Sequence, residues 1–166
     1  MRLYTLGTGR RPPYEFTRIL YKFGIQVLFD IRSHPTATSD NLAHFSRAAL
    51  ERLCAENKIN YLYLGNELRA PQQSAVKEWI ESEEFHRGVK IIISKIPTRV
   101  SCLLCSCYTP EHCHRLIIAN EIARCGILPD SRIGSLNSPG QKIEVVHILE
   151  ENRFWSPGSR RFNRKR

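Results

Sequence analysis

The sequence predicts a single three-layer α/β domain built on a mainly parallel, Rossmann-like sheet of about five strands. Three observations predict it. Short runs rich in β-formers alternate along the chain with segments whose apolar residues recur at helical spacing. The run at residues 25–31 is apolar almost throughout, as a strand is when helices cover both faces of a parallel sheet. The resulting order, β-α-β-α-β-α-β-α-β, favours right-handed crossovers and places ligands at the carboxyl ends of the strands.

Each element has its own signal. Leu3-Tyr4-Thr5-Leu6 reads as a strand closed by the turn Gly7-Thr8-Gly9. Pro13 opens a helix in which Phe16, Ile19, Leu20 and Phe23 fall at i, i+3, i+4 and i+7 before Gly24, with proline near the start and glycine at the stop. The strand at 25–31 ends in Asp30-Ile31-Arg32, and residues 33–45 form an aperiodic polar loop of a length that is often functional. Ser46 suits the cap of a helix through about Asn57 that buries Leu50, Leu53 and Cys54. Residues 60–64 read as the third strand, followed after Gly65 by a second polar loop to Gln73. Ser74 starts a short helix containing Trp79 and Ile80, and a further helix from about Glu83 presents Phe85, Val89, Ile92 and Ile96 on one face.

Residues 99–106 are the fourth strand. Thr109 then suits an N-cap and Pro110 the first position of a helix that carries Cys113-His114-Arg115 and stops at Gly126. A loop with Pro129, Gly134, Pro139 and Gly140 leads to a last strand at 143–149, and there is no internal repeat.

The 166 residues carry 25 Lys+Arg against 16 Asp+Glu, a formal charge of +9. A hydrophobic fraction of 42% is that of a globular chain, which excludes disordered, collagenous and membrane-spanning classes. Residues 153–166 hold six of the basic residues and no acid, which leaves the rest near neutral with 19 basic against 16 acidic. The chain therefore divides into an α/β domain at 1–152 and a basic, flexible tail at 153–166. The apolar stretch before Gly7 is too short for a secretory segment, so the expectation is a cytoplasmic protein with reduced thiols and no membrane partner. Four of the six cysteines, 102, 105, 107 and 113, fall within twelve residues, whereas a disulfide framework would spread them out.

Three segments lie at strand carboxyl ends and should converge on one crevice: Gly7-Thr8-Gly9-Arg10, Asp30-Ile31-Arg32-Ser33-His34, and Cys105 through Arg115. Cys105, Cys107 and Cys113 are candidate nucleophiles or redox thiols, because a thiol at a strand end or helix start near His114 and Arg115 is pushed toward thiolate. Asp30 is a candidate base or a positioning group for Arg115, and Arg32 a candidate grip for an anion. His34 is a candidate acid–base group. Thr8, Gly9 and Arg10 offer a weak anion-binding turn, and Pro12 at the place of a third glycine counts against NAD. Cys102 reads as core packing, Cys54 and Cys125 as packing or a helix end, and His44, His86 and His147 as ordinary surface residues. The cysteine spacing reproduces no known zinc module, so neither metal nor cofactor is expected.

These residues carry a resemblance. Cys105, seven intervening residues, then Cys113-His114-Arg115, together with Asp30-Ile31-Arg32, resemble the signature of the family known as domain of unknown function 488, over roughly residues 3–149. That family commonly has Gly-His-Ser where this chain has Gly7-Thr8-Gly9, a Glu where it has Cys107, and Leu-Gly-Gly where it has Leu68-Arg69-Ala70. The resemblance implies a fold and a site without implying a reaction.

Two functions follow from the residues. One is an enzyme with a Cys/His/Arg site acting on an anionic, phosphorylated or nucleotide-like substrate. The other is a nucleic-acid-binding module whose arginine-rich tail, with Phe154, Trp155 and Phe162 among the cations, contacts phosphates and stacks on bases.

Overall fold

A computed structural model describes residues 1–36, 40–125, 142–151, 153–155 and 163–164. Strand β1 (Arg2–Gly7) leads to α1 (Pro13–Lys22), β2 (Val27–Asp30), a 3-10 turn (Asp40–Phe45), α2 (Arg47–Glu56) and β3 (Asn60–Tyr63). A second 3-10 turn (Gln73–Ala75), α3 (Val76–Glu81), α4 (Glu83–Lys95), β4 (Ser101–Cys105), α5 (His114–Cys125) and β5 (Glu144–Glu150) follow. Two short strands, β6 (Arg153–Trp155) and β7 (Asn163–Arg164), complete the described elements. The loop expected around Pro129–Gly140 and the stop at Gly126 lie outside the described residues.

The sheet runs in the order β3-β2-β4-β1-β5-β6-β7. Its first five strands are parallel, as the sequence predicts; β6 adds antiparallel to β5, and β7 antiparallel to β6. Strands β1, β2 and β4 are buried along nearly their whole length, the consequence of helices on both faces. On one face Phe16, Ile19 and Leu20 of α1 and Leu50 and Cys54 of α2 pack on Leu6, Leu28, Cys102 and Leu104. On the other, Phe85, Val89 and Ile92 of α4 and Ile118, Ala119 and Ile122 of α5 pack on Leu3, Phe29, Leu103 and Val145.

This layering fixes where a ligand belongs. β4 lies between β1 and β2, whose chains continue into α1 and α2 on one face, while β4 itself continues into α5 on the other. Both edges of β4 are therefore points where the crossovers part to opposite faces, and the crevice so formed opens at its carboxyl end, Cys105.

Local signals hold at most helix starts. Pro12 and Pro13 open α1, Ser46 accepts from the Ala49 N–H at 3.3 Å, and Ser82 accepts from the Phe85 N–H at 3.2 Å. The start of α5 differs. Thr109 and Pro110 do not open it; the helix begins four residues later at His114, because His112 adopts a left-handed φ of 60° and the Cys113 N–H closes a turn on the Pro110 carbonyl at 3.1 Å. Proline here shapes a loop rather than a helix.

The basic segment also departs from a separate tail at its beginning. Phe154 pairs opposite Ile148 in the sheet and packs edge-on against Phe23 at 6.2 Å between centroids, so the sheet continues past residue 152. No helix among the described residues is long and apolar enough to cross a membrane.

Candidate active site

The sulfur-rich centre is made by one strand end and one helix start. Cys105 is the last residue of β4, and Cys113 immediately precedes α5, whose first residue is His114. Parity along β4 places Cys105 with Leu103 on the α4–α5 face, so its thiol meets the start of α5. The Cys113 thiol donates to Cys105 Sγ at 3.2 Å, and Cys105 Sγ lies 3.6 Å from His114 Nδ1.

The imidazole is held from behind. His114 Nε2 is 3.1 Å from the Ile31 carbonyl, which can only accept, so Nε2 carries a proton and Nδ1 is the nitrogen turned to sulfur.

These contacts separate the thiols. Donation from Cys113 holds the Cys105 thiol well below the ordinary thiol range, against the opposing effect of burial and with the help of His114. Cys113 is pushed up, because Cys105 sulfur holds its proton and because it is buried. Cys107 is raised by partial burial and by the negative charge on Cys105. Burial lowers His114, and the contact with Cys105 sulfur outweighs it, so the imidazole favours its protonated form.

Arg115 does not face this centre as an anion grip. Its side chain is fully buried and donates from Nη1 to the Cys107 carbonyl and from Nη2 to the Tyr108 carbonyl at 3.1 Å. Its Nε makes no hydrogen bond among the described residues. Arg115 thus pins the β4–α5 loop from beneath, and Gly7 leaves the room: a Cβ there would stand 1.6 Å from the Cys107 oxygen and 2.5 Å from Arg115 Nη1.

The β1 turn is tied to the same loop. Thr8 N donates to the Cys105 carbonyl at 2.8 Å and Gly9 N to the Ser106 carbonyl at 3.0 Å, so these amides are occupied by protein. Arg10 is exposed, while Arg11 is buried, donates to the Gly7, Leu149 and Glu15 oxygens, and lies 4.4 Å over the Tyr108 ring.

Asp30 and Arg32 form a second cluster on the other face of the sheet. Asp30 pairs with Leu104, one residue out of step with Cys105, so its carboxylate emerges on the α1–α2 side. There Arg32 clamps it with Nε at 2.8 Å and Nη2 at 2.6 Å, Tyr61 donates to it at 2.6 Å, and Arg32 Nη1 donates to the Phe45 carbonyl at 2.8 Å. Both charged groups are buried. The single crevice expected from the sequence is therefore two clusters back to back, joined through the Ile31 backbone. His34 is exposed.

A pocket of about 550 Å³ opens over the sulfur side. Cys107, His112, Cys113 and His114 form one wall with Leu116 and Ile117, and Ala70, Pro71, Gln73 and Val76 form the other. Cys107 is exposed; Cys105 lies beneath, 2% exposed. Cys105, Cys113 and His114 offer two sulfurs and one nitrogen that all lie within 4.8 Å of one another, a donor set able to hold a metal ion.

The family model for domain of unknown function DUF488 matches residues 13–122, more than half of the chain. The chain belongs to that family. The DUF488 match contains the Asp30–Arg32 cluster and the whole of the Cys105–Arg115 segment, while Gly7 and the β1 turn precede it and β5 follows it. No curated protein and no solved structure matches the chain.

In this DUF488 domain several participants escape a reading of the sequence. His147 is not a surface residue: it is fully buried on β5, 2.7 Å from Thr5 Oγ1, and burial together with the charge of Arg115 brings its pKa down to about 4. Arg11, Tyr61 and the Ile31 carbonyl carry no local motif. The only hint for Gly7 is its place at a strand end, where a close backbone approach is common.

Proposed function

We propose that the protein is an enzyme working in this pocket, with Cys105, Cys107, Cys113 and His114 as its chemical groups. The observation that supports this reading is that Cys107, Cys113 and an oriented imidazole line one pocket at the carboxyl end of β4, with Cys105 in contact just beneath them, where the crossovers part. The other cysteines lie away from it, Cys54 and Cys102 in the core on the opposite face of the sheet and Cys125 at the far end of α5. Thiolate and imidazole supply a nucleophile and an acid–base partner.

The substrate is a small anionic molecule with an apolar portion. The apolar portion lies against Pro71, Val76, Leu116 and Ile117. With Arg32, Arg115 and both nitrogens of His114 engaged by the fold, the anion is met by His112 on the pocket wall. Nucleic-acid binding by the basic tail rests on residues that mostly lie outside the described ones, and no described observation favours it.

A panel of chromogenic phosphate, carboxylate and thiol esters tests the reading. At least one class should be turned over, with kcat/KM falling about 100-fold or more in His114→Asn and Cys113→Ser, and unchanged in Cys54→Ser. Turnover of none, or wild-type rates in both site variants, contradicts it.

A further inference from the structure

We infer that Cys105 Sγ, Cys113 Sγ and His114 Nδ1 form a site for one divalent ion of the zinc class, with its fourth position open to the pocket. The fourth position rests on the reading of that pocket as the reaction site; the three protein ligands do not. The inference departs from the absence of metal expected from cysteine spacing.

Geometry comes first. A tetrahedral ion with Zn–S of about 2.3 Å and Zn–N of about 2.0 Å sets S···N edges of roughly 3.6 Å and S···S edges of roughly 3.8 Å. The Cys105–His114 edge is 3.6 Å, the Cys105–Cys113 edge is 3.2 Å and must open by about 0.6 Å, and the Cys113–His114 edge lies within 4.8 Å. Cys107 is not part of the set within 4.8 Å, which leaves three protein ligands and one open position, the arrangement of catalytic rather than structural sites.

The surroundings of each donor point the same way. A ligating histidine hands its other N–H to a backbone carbonyl or carboxylate, which fixes the tautomer; here Nε2 gives its proton to Ile31 O and leaves Nδ1 for the ion. Two buried sulfurs this close cannot both carry charge unless a cation lies between them. Binding would release two protons to solvent, the Cys113 thiol proton and the His114 Nδ1 proton held against the Cys105 thiolate, as the Cys113 sulfur and the Nδ1 nitrogen bond the ion.

The test uses the full-length protein, stripped with a chelator under reducing conditions and titrated with Co²⁺ and then Zn²⁺ alone. One equivalent of cobalt should give a thiolate-to-metal charge-transfer band and the intense d–d bands of a four-coordinate ion, and one equivalent of zinc should bleach them. Cys105→Ser, Cys113→Ser and His114→Gln should each weaken binding by at least about 100-fold, whereas Cys54→Ser and Cys125→Ser should leave it unchanged. If a ligand variant fails to fold, the wild type still decides: saturating zinc should raise its urea midpoint. No charge-transfer band, or zinc bound equally well by Cys54→Ser and the Cys105→Ser/Cys113→Ser double variant, overturns the inference. These readouts involve no substrate, so they fail separately from the turnover panel.

Discussion

Replacing Asp30 with alanine should cost about 3–5 kcal/mol of folding stability, because it leaves the buried Arg32 guanidinium without its counter-charge. The carboxylate is fully buried and takes three side-chain donors, two from Arg32 and one from Tyr61. Arg32→Ala should be comparably damaging for the converse reason. The double replacement Asp30→Leu/Arg32→Met should recover a large part of the loss, since apolar groups of similar volume need no partner in that position. Urea unfolding of the three variants measures this. Losses below about 1 kcal/mol in both single variants would mean that the pair behaves as a solvated surface bridge.

Gly7→Ala should be nearly as costly, on the order of 3 kcal/mol, at the upper end of what one added methyl group does in a packed interior. The new Cβ would stand inside the Cys107 carbonyl, and the atoms it displaces are backbone and a buried guanidinium, neither of which can swing away. The β4–α5 loop must move instead, which breaks the Arg115 bonds to the Cys107 and Tyr108 carbonyls and shifts Cys105 relative to Cys113. The variant should therefore lose both stability, read by urea midpoint, and cobalt affinity, read by titration. A midpoint within about 0.5 kcal/mol of wild type would contradict the account of Arg115 as the strut of this loop.

The fold was legible because its main signals are local. Phe16, Ile19, Leu20 and Phe23 mark the buried face of α1, and the nearly continuous apolar runs of β2 and β4 announce a sheet covered on both sides. The α5 start was misplaced because Thr109 and Pro110 look like a cap and first turn, while the left-handed His112 is set by tertiary bonds.

At the site, the nearness of Cys105 to Cys113 and His114 was legible from a strand end followed by a helix start. What the sequence hides is register. Whether Asp30 shares a face with Cys105 depends on the β2–β4 pairing, and the observed pairing with Leu104 puts the two on opposite sides. The role of Arg115 is hidden similarly, since only packing reveals that its guanidinium ends under Gly7. Metal-module spacings likewise describe loops of familiar shape, and these ligands come from a strand and a helix joined by an unfamiliar one.

The central claim is that the sulfur and imidazole groups face a pocket that binds small molecules, and covalent capture at Cys107 tests it most directly. A set of chloroacetamide fragments differing only in their non-reactive portion is allowed to alkylate the native protein, each rate being divided by that fragment's rate with glutathione. The account predicts a spread of about 10–100-fold among the corrected rates, the discrimination that 1–3 kcal/mol of fragment binding provides. Ile117→Trp, which fills the wall opposite Val76, should level it. Corrected rates that are the same for every fragment in the wild type would show a thiol on an ordinary surface, and the pocket would not be a site.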